Sequence, residues 1–484
     1  MILPRLSDRT LAQARNGAWA GAYDRAGVEI GVVHLGPGAF HRAHQAPVFD
    51  ALLAAGDPRW GVCGVSLRSP AVREALAPQD GLYTLLELDA EPRARIVGAV
   101  KQLLTAPQTP AAVLDHLAAV RTRMITLTVT EKGYGLTPAG ELDLTHPDVA
   151  FDLARPSAPR SAVGWLVEGL RRRRGAGAPG LSVVSCDNLS GNGAKLGQAV
   201  ATLALAQGDA DLAGWIGQEA RFPNTMVDSI TPATDAALKA RVQGLIGLDD
   251  AWPVQRERFT QWVIEGPLAA NGPDLTSAGV AVVADVRPFE QAKLGLLNGA
   301  HSTLAYLGLL AGRATVADAM ADPALAAFVE RLMRQDIAPT LPRTAALDLD
   351  AYIAAILVRF RNPAIGHRLA QIAQDGSQKL PVRLLPTVTA ALSAGRPIAR
   401  LAAPLAAWML FAARQVLGPD PLIDPLAAAI TAIAAVPVED QPERFLALGA
   451  VFPPTLAADR RFRDAVTLAH RDLAAGRVAA VLAT

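Results

Sequence analysis

The chain has 484 residues, 51% hydrophobic and 19% charged, a soluble globular composition too long for one ordinary core, so two or three domains are expected. Its 46 basic and 45 acidic residues leave a formal net charge of +1, which excludes the electrostatic footprint of a nucleic-acid or anionic-membrane binder. The longest run without Asp, Glu, Lys or Arg, 294–312, is interrupted by Asn298 and His301 and fails as a membrane span, and the opening MILPRLSDRT lacks the apolar core of a signal peptide. Two cysteines, Cys63 and Cys186, lie in apolar strand-like runs. They suggest neither a disulfide framework nor a metal knuckle, so a reducing cytoplasm is expected.

Residues 28–35 (VEIGVVHL) read as a first strand, followed by Gly36-Pro37-Gly38-Ala39-Phe40-His41 and helix-like sequence through Leu53. This is the layout of the first strand-to-helix turn of a dinucleotide fold. Gly36 would make the turn, Gly38 would let backbone approach a pyrophosphate, and Ala39 and Phe40 would open the helix whose dipole faces it. Two features depart from that layout: His41 stands where a third Gly or Ala is usual, and Pro47 should kink the following helix. A second strand at residues 60–67 ends in Arg68-Ser69-Pro70, where an NAD site usually carries a carboxylate for the ribose hydroxyls. Arg68 could meet the 2′-phosphate of NADP, cover the adenine face or point to solvent. NAD is the expected cofactor, and NADP stays open.

Strand-like runs at 96–103, 124–130 and 181–185 then alternate with helical ones at 110–120, 162–174 and 195–206, the mark of a parallel α/β sheet. The basic run at 171–174 closes a helix before Gly175, as cations at a helix C-terminus should. Ligands in such sheets bind beyond the carboxyl ends of strands. The polar residues gathered there include Glu131 in TEKGY and Asp187, Asn188 and Asn192 in CDNLSGN. Glu131 and Asn188 are the best candidates to face a cofactor; the competing reading of Asp187, Asn188 and Asn192 is as turn and N-cap residues. Asp228 is a lone carboxylate in the apolar segment FPNTMVDSITP, and a last strand is expected at 280–286.

Residues 286–312 (VRPFEQAKLGLLNGAHSTLAYLGLLAG) form a helix bracketed by Pro288 and Gly312, apolar almost all round. Lys293, Asn298 and His301 interrupt it. At about 100° per residue, Asn298 lies roughly 140° and His301 roughly 80° from Lys293, so the three fit on less than half the circumference. Such a wedge is costly unless it faces a cavity, where a desolvated Lys could exchange a proton near neutral pH. The competing reading is a Lys that snorkels to the surface beside satisfied core polars. Beyond Gly312 the chain becomes Ala- and Leu-rich, with helix-like stretches at 323–334, 349–360, 380–394, 401–416 and 425–434. The expected organisation is a Rossmann-like dinucleotide-binding domain over 1–285 and a mainly helical substrate domain over 286–484. One polar region, RFRNPAIGHRLAQIAQDGSQKLPVR, carries His367 and Lys379.

Taken together, the blocks HLGPGAFHRAHQA, WGVCGVSLR, QDGLYTL, TLTVTEKGYG, SCDNLSGNG, FPNTMVDSITP, ADVRPFEQAKLGLLNGAHSTLAYLG and DGSQKLP resemble the long-chain, metal-independent polyol dehydrogenases of the mannitol dehydrogenase family. The resemblance runs from about residue 29 to the last fifty residues. It implies an NAD(P)-dependent oxidoreductase with Lys293 as general acid/base and Asn188 and Asn298 as a carbonyl-polarising pair. It further implies that Asp228, His301 and Lys379 contact substrate and that Glu131 relays protons to solvent; His367, from the same polar region as Lys379, is a further substrate-binding candidate. One departure stands out: the family pattern has Arg after the acid at 228, and this chain has Ser229.

The chemistry agrees, since oxidising a secondary alcohol needs a base and donors for the developing alkoxide. His34, His41 and His44 could suggest zinc, but the glycine turn accounts for their surroundings, so no metal is expected. A β-hydroxyacid dehydrogenase would place its Asn four residues after the Lys, and here the interval is five. The run HRLAQIAQDGSQKLP and the block TVTEKGY stand nearer the D-mannonate (fructuronate) branch than the mannitol 2-dehydrogenase branch. An aldonate/keto-uronate pair is therefore expected. The alternatives are mannitol/fructose, another polyol such as arabinitol or sorbitol, and, remotely, a nucleotide-binding protein without turnover. Oligomeric state is not readable from the sequence.

Overall fold

The computed structural model describes residues 3–19 and 23–484; residues 1–2, where the first expected domain begins, and 20–22 lie outside the described residues. The chain divides into two compact units, Met1–Val286 and Arg287–Thr484.

In the first unit, β1 (Ile30–Leu35), β2 (Gly61–Ser66), β3 (Tyr83–Leu88), β4 (Arg93–Val97), β5 (Val100–Thr105), β6 (Met124–Leu127) and β7 (Ser182–Ser185) precede four further strands. These are β8 (Thr225–Asp228), β9 (Val254–Glu257), β10 (Gln261–Glu265) and β11 (Ala281–Val283). The main sheet is parallel, in the order β5-β2-β1-β6-β7. Strand order reverses between β1 and β6, which opens a crevice at their carboxyl ends. Its strands are apolar because helices cover both faces. Successive β1 residues feed opposite cores: Val33 and Leu35 pack with Leu114, Trp165 and Leu196, while Val32 packs with Phe49, Met124 and Trp262.

Three expectations are corrected here. The run at 96–103 is two strands, because the chain changes sheets at Gly98; a Cβ there would meet Tyr23 Oη at 2.7 Å and Trp19 at 2.9 Å. β4 pairs antiparallel with β3, whereas β5 joins the main sheet. The expected strand at 280–286 is only β11, which pairs with β10 in a separate three-stranded sheet. Pro47 kinks no long helix: the helix breaks at His44 into Ala39–Ala43 and Gln45–Ala54, placing Pro47 in a first turn, where its missing N–H costs nothing.

The second unit is helical. Its centre is Ala399–Gln415, buried continuously from Leu401 to Ala413 and packed against Ala300–Leu310 and Arg460–Ala474. The run expected as one helix at 380–394 is Gly376–Arg383 followed by Leu385–Ser393, because Pro386 starts a helix better than it continues one. The run at 286–312 is Arg287–Ala292, a π-helical stretch Lys293–Gly299 and Ala300–Leu310, ending before Gly312 at φ +72°.

Gly376 fixes how the DGSQK turn seats on the central helix, since a Cβ there would meet Trp408 Nε1 at 2.2 Å and Tyr306 Oη at 2.7 Å. Gly376→Ala is therefore expected to destabilise the protein by about 1–3 kcal/mol through overpacking, read as a lower thermal or urea midpoint. An unchanged midpoint would show that Trp408 can yield.

Candidate active site

In the first unit, Gly36 ends β1 at φ +89°, and a Cβ on it would lie 2.1 Å from Thr128 O. Only glycine allows β1 and β6 to converge this closely. Gly38 is exposed, and a Cβ there would have no neighbour nearer than Gly36 O at 3.9 Å, so its backbone is open to a ligand. Ala39 and Phe40 begin a helix of 5 residues, shorter than the sequence suggests. A cavity of about 290 Å³ meets this turn, lined by Gly36, Arg68, Thr130, Lys132, Asp148 and Arg160. A neighbouring one of about 500 Å³ is walled by Leu67, Pro107, Phe151 and Trp165. A polar, cationic cavity beside an apolar slot, both at the carboxyl ends of β1, β2 and β5, fits the phosphate-ribose and adenine parts of a dinucleotide. Arg68 donates to Asp148 Oδ2 at 3.0 Å from a side chain that is 82% exposed.

The three histidines of this region are tied to different partners. His34 bonds Thr126 Oγ1 (2.7 Å) and Thr128 Oγ1 (2.9 Å) and stacks on His41 at 3.4 Å, while His44 meets Gln261 O at 3.0 Å. Burial holds the His34 imidazole down to about 3, and it holds His41 well below the ordinary value.

Asp187, which by sequence alone reads as a turn or N-cap residue at the strand ends, fastens the loops beyond β6 and β7 to each other. Its carboxylate accepts from Val129 N–H (2.9 Å), Thr130 N–H (2.8 Å) and the Tyr134 hydroxyl (2.6 Å). Thr130 is held at φ +66°, a costly conformation for a β-branched residue. Exposed Glu131 opens the 3₁₀ turn Glu131–Tyr134, and exposed Asn188 follows Asp187 directly. Asn192, expected as a cap, is instead a buried clamp: its amide donates to Asp187 O and Thr225 O, and its Oδ1 accepts from Thr225 N–H at 2.9 Å. That clamp joins the end of β7 to the start of β8, whose last residue is buried Asp228. Ser229 donates to Phe259 O at 3.1 Å. Glu131, Asn188 and Asp228 thus ride on one hydrogen-bonded set of strand ends.

In the second unit, Lys293 opens the π-helical stretch and Asn298 lies five residues on, both half-buried. The roughly 140° separation expected of an α-helix is corrected: with i→i+5 bonding, five residues come close to one full turn, so the two side chains share a face. His301 is 7% exposed, lies against Phe360 at 4.5 Å and meets the His367 ring edge-on at 5.3 Å. Its Nε2 has no hydrogen-bond partner among the described residues. Burial, then the positive charges of His367, Arg359 and Arg383, keep the imidazole neutral. Lys379 donates to Ile372 O (3.1 Å) and Gln374 O (2.6 Å). Arg383, missed in the sequence, stands four residues after Lys379 and so on the same helical face. It donates to Ser302 Oγ at 3.2 Å.

A parallel sheet with an open glycine turn at its switch point, followed by a helical unit carrying Lys and Asn on one face, defines the class of nicotinamide-dependent dehydrogenases. The chain belongs to the mannitol dehydrogenase family: residues 30–277 match the mannitol dehydrogenase Rossmann domain and residues 285–474 its C-terminal domain. It is 41% identical to D-mannonate oxidoreductase of Escherichia coli K12 over 466 residues, 93% of this chain and 95% of that protein. It is 36% identical to mannitol 2-dehydrogenase of Phaeosphaeria nodorum, over 98% of this chain and 85% of that one. The Pseudomonas fluorescens mannitol 2-dehydrogenase, solved with NAD and D-mannitol, superposes with a TM-score of 0.83 at 35% identity, covering 99% of both chains. The fold and family expected from the sequence are borne out, and the protein is an NAD-dependent oxidoreductase acting on CH–OH.

The depressed histidines make a pH prediction. The unfolded chain takes up protons near pH 6.5 that native His34, His41 and His301 refuse. Each therefore contributes stability that is lost as pH falls below 6.5, by up to about 1.4 kcal/mol per pH unit. Burial raises the Asp50 and Asp187 carboxyls, which acts in the opposite sense, so the clean readout is each imidazole itself. In ¹³C-labelled protein these three rings are expected not to titrate between pH 8 and 5; a midpoint near 6.5 for any of them would overturn its placement.

Proposed function

We propose that the protein interconverts D-mannonate and D-fructuronate with NAD. The observation that carries this reading is the Lys379 ammonium, which is bonded only to carbonyl oxygens and has no carboxylate within ion-pair distance among the described residues. A cation so placed favours an acidic substrate over a neutral polyol. The near-full-length likeness to a D-mannonate oxidoreductase supports the same choice. Mannitol/fructose is the second reading, supported by the mannitol 2-dehydrogenase likenesses.

In the oxidative direction, NAD when bound accepts the hydride. Lys293 takes the hydroxyl proton as general base, and Asn298, on the same face, donates to the oxygen as it becomes carbonyl. Asn188 supplies the companion donor, and Glu131, exposed at its loop tip, passes the proton to solvent. His301, held neutral with a spare Nε2, and Asp228 bind substrate hydroxyls; His367 buttresses His301. Gly36, Gly38, Ala39 and Phe40 hold the pyrophosphate turn, and Arg68 flanks the adenosine ribose. No chain segment among the described helices is long and apolar enough to cross a membrane, and two buried free thiols suit a reducing cytoplasm.

The first test is oxidation of NADH and NADPH with D-fructuronate and D-fructose side by side. Turnover with fructuronate is expected, and turnover with fructose alone would replace the aldonate reading by the mannitol one. Lys293→Ala should lower turnover by about 10³-fold or more while leaving NADH affinity nearly unchanged; a mild loss would remove it from the base role and revive a non-catalytic nucleotide-binding protein. Asp148 engages Arg68, the cation that would otherwise be free to receive a 2′-phosphate, which disfavours NADP. Asp148→Asn is therefore expected to improve NADPH binding relative to NADH by about three- to ten-fold in a fluorescence titration, and an unmoved ratio would take this pair out of cofactor selection.

A further inference from the structure

Arg383 ends the helix Gly376–Arg383. Its carbonyl is packed so closely on the π-helical stretch that a Cβ on Gly299, the residue after Asn298, would lie 3.1 Å from it. Its guanidinium turns to Ser302, the residue after His301, donating through Nη1 at 3.2 Å. The side chain therefore lies along the same stretch of helix that presents Asn298 and His301.

No carboxylate stands within ion-pair distance of Arg383 or Lys379 among the described residues. The acids nearest Lys379 are Asp375 and Asp424, and Asp424 is occupied by the Ser377 N–H at 2.9 Å and the Ser377 hydroxyl. Two partly desolvated cations with no counter-anion are costly unless one arrives with a ligand. Burial and mutual repulsion lower the Lys379 ammonium, and burial lowers the Arg383 guanidinium, in keeping with that lack. Beside them, His301 Nε2 and His367 Nδ1 are buried without hydrogen-bond partners.

The two cations are not equivalent. An ammonium has three donors, and Lys379 spends two on Ile372 O and Gln374 O. A guanidinium has five in a planar fork, and Arg383 spends one, on Ser302. Only a fork with free donors can bridge both oxygens of a carboxylate. We infer that Arg383 receives the substrate's terminal carboxylate in a two-point clamp, with Lys379 adding charge beside it, and that Arg383 contributes more than Lys379 to the preference for a sugar acid over a neutral polyol. This rests on the aldonate reading above.

The experiment measures kcat/KM for D-mannonate and D-mannitol with wild type, Arg383→Gln and Arg383→Lys, with thermal midpoints recorded in parallel. The mannonate-to-mannitol ratio is expected to fall about 10- to 100-fold in Arg383→Gln. In Arg383→Lys, which keeps charge and reach but lacks the fork, it should fall about three- to ten-fold, through KM more than kcat. If Arg383→Gln does not fold, the Lys variant alone decides. Wild type that oxidises mannonate, with a ratio unmoved in the folded variants, overturns the inference and leaves the aldonate reading standing. Wild type that oxidises mannitol but not mannonate overturns both.

Discussion

One carboxylate, that of Asp187, holds the first unit's functional loops in place. Past β6 the backbone leaves the ladder, so the Val129 and Thr130 N–H groups have no strand partner. Asp187 accepts both, together with the Tyr134 hydroxyl, which also meets Ser185 Oγ at 2.6 Å. A single side chain thus pairs two N–H groups that the ladder leaves free and stabilises Thr130 at its strained φ. Asn192 repeats the device one strand further on, pairing the ends of β7 and β8. These two clamps fix the backbone that carries Glu131, Asn188 and Asp228.

The π-helical stretch plays the corresponding part in the second unit. An α-helix would set Lys293 and Asn298 well apart around its circumference, and it would do so with better hydrogen-bond geometry. The wider turn brings them onto one face, which is the kind of functional use such rare turns serve. Gly295 and Gly299 lie inside it, with Ile337 Cγ2 and Arg383 O each 3.1 Å from where a Cβ would sit. Close approach of neighbouring elements at two points helps hold the unusual winding.

The sequence revealed the runs of β1, β2, β6 and β7 because buried parallel strands are nearly continuous apolar segments bounded by polar residues. It also revealed the glycine turn, since Gly36 must adopt a positive φ, and the Lys293, Asn298 and His301 wedge, since polar residues are conspicuous among leucines. It did not reveal β3 or the break at Gly98, because sheet membership there depends on contacts with Trp19 and Tyr23 from far away in the chain. The π turn was hidden because hydrophobic periodicity carries only the α-helical default. Asp187 and Asn192 look like any turn residues when read alone, and only the structure shows which backbone groups they satisfy. Arg383 was passed over for the opposite reason: an Arg near the end of a helix has an ordinary capping explanation, and nothing local signals that its partner is a hydroxyl rather than an acid.

That absence of an acid is the most informative electrostatic feature of the second unit. Several of its other arginines are paired with acids: Arg400 with Asp336 at 2.6 Å, Arg313 with Asp322 at 2.8 Å and Arg334 with Glu330 at 3.0 Å. The chain therefore has acids to place, and Asp424, near Lys379, is tied to Ser377 instead. Carbonyl groups hold the Lys379 ammonium and a hydroxyl holds Arg383, so both charges are oriented without being neutralised. A neutral His301 alongside them adds hydrogen-bonding capacity without more positive charge. Such an arrangement sacrifices some stability of the free protein to keep oriented charge available, and it gains most when the incoming group is an anion that needs no rearrangement to be received.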